Sequence, residues 1–372
     1  MRKGRSQQMV VKMAAFILRT LVLSALLGLV AGPVHAGSEG RKGTAGAMEL
    51  RIPVGPRGEA LGGAISSDVS GIESMYWNPA GLASVTGTEV LLSHQTYFAD
   101  MKVNYAGVAS KVGGFGVLGV SAKVLSVGDI FVTTEAAPDG TGEILTPTFA
   151  VMGVTWARQF TDRVNFGATA NYVTENIVDN TASGLAVDFG VQYMTDWRGF
   201  RIGMVMKNYG SAMRFSGPGF ELSVQDPFQD PNASPRKVNY SSTKFEMPSY
   251  FTLSSSYNVM QNAQSKLVAL GAFQNNNFSG DNLRGGLEWT YRDIVALRGS
   301  YFGTFNGTID AATGDETFKF GSGDDLYKGW SLGAGFNTHL GDTSKAGVDF
   351  AWRPVQSGTF ADIYEVGVHL KF

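Results

Sequence analysis

The residues of this chain best placed to do chemistry are charged ones set at alternate positions of apolar stretches. Asp188 sits in LAVDFGVQY, Arg201 and Lys207 in FRIGMVMKN, and Arg284 and Glu288 in LRGGLEWTY. Arg298 follows in the next apolar stretch, then Asp349 and Arg353 in and just after AGVDFAW, and Glu365 and Lys371 in DIYEVGVHLKF. Mixed signs at such positions can pair into ladders that hold a register, or line a polar path for a charged solute. The 4 histidines, His35, His94, His339 and His369, lie apart, without HxxxH or HExxH spacing. No GxSxG or P-loop occurs, and the glycines at 113–116 belong to a hairpin and not to a turn before a helix. With 0 Cys, thiolate chemistry, disulfides and Cys-bound zinc are excluded. A net charge of -2 offers no basic footprint for nucleic acid. No catalytic group, cofactor or metal is expected.

The element that must position these charges is a strand. In DIYEVGVHLKF, Tyr364, Val366, Val368, Leu370 and Phe372 fall on one face, and Glu365, Gly367, His369 and Lys371 on the other. Such stretches approach the roughly 9–11 residues that a tilted strand needs to cross a bilayer. Aromatics cluster at their ends, as interfacial girdles do: Trp289, Tyr291, Trp330, Trp352, Tyr364 and Phe372. Strands are expected at 88–98, 102–111, 114–126, 148–159, 163–175, 183–195, 199–210, 248–259, 265–275, 281–291, 293–303, 328–339, 343–353 and 361–372. The number is even, the joins after even strands are short, and the long joins, 127–147, 211–247 and 304–327, all follow odd strands. That asymmetry is the mark of an all-β transmembrane barrel, here of 14 antiparallel strands over 88–372, with short periplasmic turns and longer outer loops. Composition agrees: charged residues are 17%, against about 25% in soluble domains, with 48 Gly and 12% aromatics. A charge facing lipid at mid-bilayer would cost about 1–4 kcal/mol, so the charged face is the lumen face. Gly190, Gly203, Gly286 and Gly367 share that face, and leave interior space or admit a plug.

Ahead of the barrel, Arg2, Lys3, Arg5 and Lys12 precede an apolar run broken only by Arg19, and Val34-His35-Ala36 leads to Gly37. Residues 1–36 read as a signal peptide cleaved near Ala36, the alternative being a retained anchor. Residues 37–87 then carry Ile52, Val54, Leu61, Ile65, Ile72, Met75, Trp77 and Leu82, too many apolar groups for a linker, and are expected to form a plug or hatch. Ser66–Asp68 is expected to cap a short helix over Val69–Met75. In SMYWNPAGLA, Tyr76 and Trp77 run into the turn residues Asn78, Pro79 and Gly81. The expected role is a hinge from plug to barrel at the periplasmic rim, its aromatics packed on the wall or set at headgroup level.

The stretch PVGPRGEALGGAISSDVSGIESMYWNPAGLA, continued by TEVLLSHQTYFADMKVNYAGVASKVGGFGVLGVSAKVLSVGDIFVTTE, resembles the start of the PorV/PorQ family, similar in turn to FadL-type fatty-acid channels. The resemblance covers the mature chain and fits best over 50–210. It implies an outer-membrane barrel with an N-terminal plug and no enzymatic activity. It also implies one of two roles. PorV-type members bind the C-terminal domains of secreted cargo in type IX secretion, and PorQ-type members act in the same pathway. FadL-type members pass hydrophobic molecules such as long-chain fatty acids, partly through a wall opening. A cargo role places the contact on loops 127–147, 211–247 and 304–327. A channel role calls for an apolar cavity lined by groups such as Ile294, Val205 and the plug leucines. Acidic loop residues, DGTGE at 139–143 with Asp310, Asp315, Glu316, Asp324 and Asp325, lack EF-hand spacing and read as solvated, with calcium as the alternative. Partners besides cargo or ligand are outer-membrane lipid and the barrel-assembly machinery, which reads a terminal alternating strand like Tyr364–Phe372. Phe372→Ala is expected to reduce the assembled protein in outer-membrane fractions, scored by heat-modifiable gel migration. Unchanged levels would remove the terminal strand as an assembly signal.

Overall fold

The computed structural model describes residues 41, 43–225, 235–309, 316–321, 327–341, 344–356 and 358–372. The expected signal peptide and four of the acidic positions (Asp310, Asp315, Asp324 and Asp325) lie outside them. Fourteen antiparallel strands close into one barrel: β1 Thr88–Thr96, β2 Lys102–Val112, β3 Gly116–Ser126, β4 Thr148–Thr161, β5 Val164–Ile177, β6 Asn180–Met194, β7 Arg201–Gly210, β8 Tyr250–Gln261, β9 Ser265–Asn276, β10 Asp281–Tyr291, β11 Val295–Ile309, β12 Trp330–Leu340, β13 Ser344–Arg353 and β14 Ile363–Lys371. Each strand pairs with the next, and β14 pairs with β1 from Glu89↔Lys371 to Thr96↔Tyr364. Closure leaves no unpaired edge, the condition for strands in hydrocarbon.

The strand expectations hold within a few residues except at β11. It runs to Ile309 and pairs with a further strand, Glu316–Gly321, so part of the expected loop 304–327 is strand. Beyond the membrane a backbone still gains by pairing with itself. The loops behave alike elsewhere: Ile130–Phe131 pairs Ile144–Leu145, Glu221–Val224 pairs Arg236–Asn239, and Phe215–Ser216 adds to β6. All long loops leave the end opposite Thr88 and Lys371, as their parity required.

Side chains divide by strand phase. On β6, Leu185, Phe189 and Tyr193 face outward and are exposed, while Ala186, Asp188 and Gln192 are buried inside. On β14, Tyr364, Val366 and Val368 face out, with Phe372 beyond them, and Glu365 is 0% exposed. An apolar outer wall of this extent suits acyl chains, not water. Aromatic pairs mark both ends of the wall. Trp330 and Trp352 meet edge to face at 5.0 Å at the outer-loop end, and Trp289 and Tyr291 stack at 6.0 Å at the other. Leu287, outward at the middle of β10 and 54% exposed, tests the assignment. Leu287→Arg is expected to lower the folding free energy into lipid vesicles by about 2–4 kcal/mol in a denaturant titration. A change near zero would place that wall in water.

Candidate functional site

The plug threads the lumen. At the outer-loop end Ala45 bridges Glu246 in parallel, and Arg41 pairs with Glu246 at 2.7 Å. The chain then passes a 3-10 turn at Met48–Arg51, helix α1 at Pro56–Ala60, helix α2 at Ser74–Trp77 and a second 3-10 turn at Pro79–Ser84 before entering β1. Pro56 starts α1 where its missing N–H costs nothing, and Gly62 and Gly63, at φ 59° and 78°, turn the chain after it. The wall comes close because it lacks side chains at chosen points. A Cβ on Gly190 would strike the Asn78 amide, one on Gly203 the Ser66–Ser67 backbone, and one on Gly367 the Pro56 ring; Gly286 lies against Leu61. The lumen glycines therefore admit the plug.

The lumen charges dock it. Arg57 of α1 binds Glu288 at 2.7 Å and Asp68 at 2.7 Å; Glu288 also accepts from Arg298 at 2.8 Å, and Arg298 reaches Asp349 at 2.5 Å. Arg201 binds the other oxygen of Asp68 at 3.0 Å, and Arg353 binds Glu59 at 3.0 Å. Glu365 accepts the Gly55 N–H at 2.7 Å, Lys207 lies 3.8 Å from Asp188 and donates to the Tyr76 carbonyl, and Arg284 donates to the Gly62 carbonyl at 3.3 Å. Lys371 pairs with Glu89 at the end of the barrel opposite the long loops, at 3.1 Å. The expected ladder within the wall is present as Glu288–Arg298–Asp349, Lys207–Asp188 and Lys371–Glu89, and the plug is bonded onto it through Arg57, Asp68, Glu59 and its own backbone. Asp68 is the correction this brings. Its carboxylate is committed to two arginines and caps nothing, so no helix spans Val69–Met75 and only Ser74–Trp77 is α-helical.

The aromatic turn is also relocated. Tyr76 and Trp77 do not reach lipid headgroups; they meet edge to face at 5.0 Å inside the lumen. The Tyr76 ring lies 3.8 Å from the Lys207 ammonium and 5.0 Å from that of Lys123, and Trp77 is 7% exposed. Asn78 accepts from the Ala80 N–H at 3.1 Å and donates to the Ser66 carbonyl at 2.8 Å and that of Val191 at 3.3 Å. Pro79 packs on Gly167 and Gly190, so the turn ending at Gly81 is wedged against β5 and β6 within the lumen, not at the rim. Buried amide and ammonium groups need partners, and here the Ser66, Val191 and Tyr76 carbonyls supply them.

On the outer-loop side of the plug lies a cavity of about 660 Å³. Its rings are Tyr76, Trp77, Tyr97, Phe98, Phe149, Phe215, Tyr250, Phe302 and Tyr327, joined by Ile52, Met101 and Leu125. The Tyr97 and Tyr327 hydroxyls meet at 2.5 Å, and Arg353 lies over Tyr327 at 3.8 Å and Phe302 at 4.5 Å. Ile294, Val205 and the plug leucines Leu50, Leu61 and Leu82 do not line it: Ile294 sits at a short turn between β10 and β11, Val205 is covered where the plug passes, and the leucines are buried in the packing around the plug. Sequence reasoning missed the rings because they come from separated places: loops after β1, β7 and β11, and β4, β8 and β11 themselves. The only signal was an aromatic in lumen phase near the outer end of a strand, as at Tyr250 and Phe302.

Glu49, on the plug arm, also lines this cavity. Burial first, and the Glu175 carboxylate second, push its carboxyl up from 4.5 to about 8. Glu175 accepts the Ala47 N–H at 3.1 Å, and Lys123 donates to the Glu49 carbonyl at 2.6 Å.

No protein-family model matches the sequence, and no curated protein does. Among solved structures the chain is similar to the Pseudomonas putida toluene transporter TodX, at 12% identity and TM-score 0.52, over 85% of this chain and 96% of that one. It is also similar to the CymD monoaromatic hydrocarbon channel, at 11% identity and TM-score 0.51, over 86% of this chain and 98% of that one. At such identity the likeness is one of fold. The chain is a closed barrel of fourteen antiparallel strands, the fold of those structures.

The Glu49 carboxyl makes plug docking pH-dependent. Because its docked pKa lies above that of the free group, its contribution is full below about 4.5 and is lost as pH rises through about 8. Hydrogen exchange of residues 45–51 is expected to quicken from pH 6 to pH 9 beyond the intrinsic chemical rate. Glu49→Gln should flatten that excess; an equal excess in the variant would assign it elsewhere.

Proposed function

We propose that this protein is an outer-membrane channel for small hydrophobic molecules, taking them from the outside into the aromatic cavity and past the plug. The observation that carries this reading is the cavity itself. Its 660 Å³ falls within the roughly 300–1,000 Å³ of small-molecule sites, and aromatic rings surround it. Such a wall favours an apolar guest by desolvation, about 25 cal/mol per Å² of apolar surface buried, and a ring guest further by ring–ring contacts of about 0.5–1.5 kcal/mol each. The fold shared with channels named for toluene and monoaromatic hydrocarbons supports the same reading. Below the cavity the ion-paired plug fills the way to the periplasm, so passage requires it to shift. No chemical step is proposed; the protein binds and conducts.

The cargo-binding reading rests on the resemblance over 50–210 and the long outer loops, and nothing in the structural neighbours supports it. Both readings meet in one experiment. Purified protein is titrated with toluene while tryptophan emission is followed, and labelled toluene uptake is measured in cells with and without the gene. Quenching that disappears in Trp77→Phe, two- to tenfold weaker binding in Phe302→Leu from about 0.5–1.5 kcal/mol of ring contact, and lower uptake on deletion are expected. No quenching and unchanged uptake, with a secreted protein co-purifying, would replace the channel with the cargo role.

A further inference from the structure

We propose that the ligand of this cavity is an aromatic acid whose carboxylate docks on Arg284 and Arg51. The inference rests on the channel reading and adds the chemical class.

Most lumen arginines have their carboxylate. Arg57 has Glu288 and Asp68, Arg201 has Asp68, Arg298 has Glu288 and Asp349, and Arg353 has Glu59. Arg284 and Arg51 both line the cavity, and among the described residues neither has one. Arg284, on β10, donates Nη1 to the Gly62 carbonyl at a long 3.3 Å, and its Nε is buried without a partner. Arg51, on the plug arm, reaches only neutral oxygens, Ser279 Oγ at 2.9 Å and Asn276 Oδ1 at 3.4 Å. A guanidinium held in an aromatic enclosure without a counter-charge is costly, and an anionic guest offsets the cost. The guanidinium fork suits a carboxylate, and both groups face the one cavity.

The acidic groups on the same cavity do not cancel this charge. Glu59 is committed to Arg353. Glu175, on β5, holds the Ala47 N–H and sits against Glu49. Glu49 keeps its proton at neutral pH beside it. The rings then decide the body of the guest. A neutral hydrocarbon leaves Arg284 and Arg51 unanswered, and an alkyl acid answers them but leaves the ring contacts unused.

The test uses the full-length protein in detergent and calorimetric titration with 4-phenylbutyrate, its neutral amide, decanoate and toluene. The acid should bind at least about tenfold more tightly than the amide, as one charge-assisted contact implies. Arg284→Gln and Arg51→Gln should each weaken the acid about tenfold more than they weaken toluene, and Arg284→Lys should restore part of the difference. Heat-modifiable migration confirms that each variant is a folded barrel. Equal affinity for acid and amide, or equal losses for acid and toluene in Arg284→Gln, would overturn the inference while toluene binding left the channel reading standing. Tighter binding of decanoate than of phenylbutyrate would overturn the aromatic part. Failure of all the compounds to bind would remove the channel reading and this inference together.

Discussion

Arg57 enters the lumen on the plug and is enclosed there by Glu288 and Asp68, and the rest of the structure follows from keeping that charge paired. Glu288 serves two arginines, Arg57 and Arg298, and Arg298 passes the link to Asp349 on β13. The network therefore joins plug, β10, β11 and β13. In a poorly solvated interior a charge that loses its partner costs about 3–5 kcal/mol, so these residues constrain one another strongly. The plug's seat satisfies all of them at once.

The seat also explains the wall's composition. A plug that binds through its own backbone, as at Gly55 to Glu365, Ser66 to Gln192 and Tyr76 to Lys207, must come within hydrogen-bonding reach of wall side chains. Glycines at the contact points make that approach possible, and the longer side chains between them supply donors and acceptors. Outside, the same strands present apolar groups to lipid. One strand thus reads as two surfaces with opposite needs, and the two-residue period keeps them apart.

The cavity is what the seat leaves over. The plug fills the lumen from the end where the short turns lie, and its arm, Ala47–Arg51, rises along the wall toward the long loops. Between arm, plug and loops remains a space into which rings project. The mixed lining, aromatic with a few committed charges and two uncommitted arginines, follows from this position at the border of network and loops.

What the sequence by itself determined is the barrel: strand number, phase, loop parity, the inward direction of Asp188, Glu288 and Glu365, and the existence of a plug. These are legible because strand periodicity is local and the bilayer imposes one rule on every strand. Tertiary structure alone decided the partners. No spacing says that Asp68 binds Arg57 and Arg201 instead of capping a helix, or that Tyr76 and Trp77 face a cavity and not headgroups. Nor does any local pattern join Tyr97, Phe302 and Tyr327. Those contacts connect residues up to hundreds of positions apart, and they exist only once the sheet has closed around the plug and ruled out the alternatives that each residue had alone.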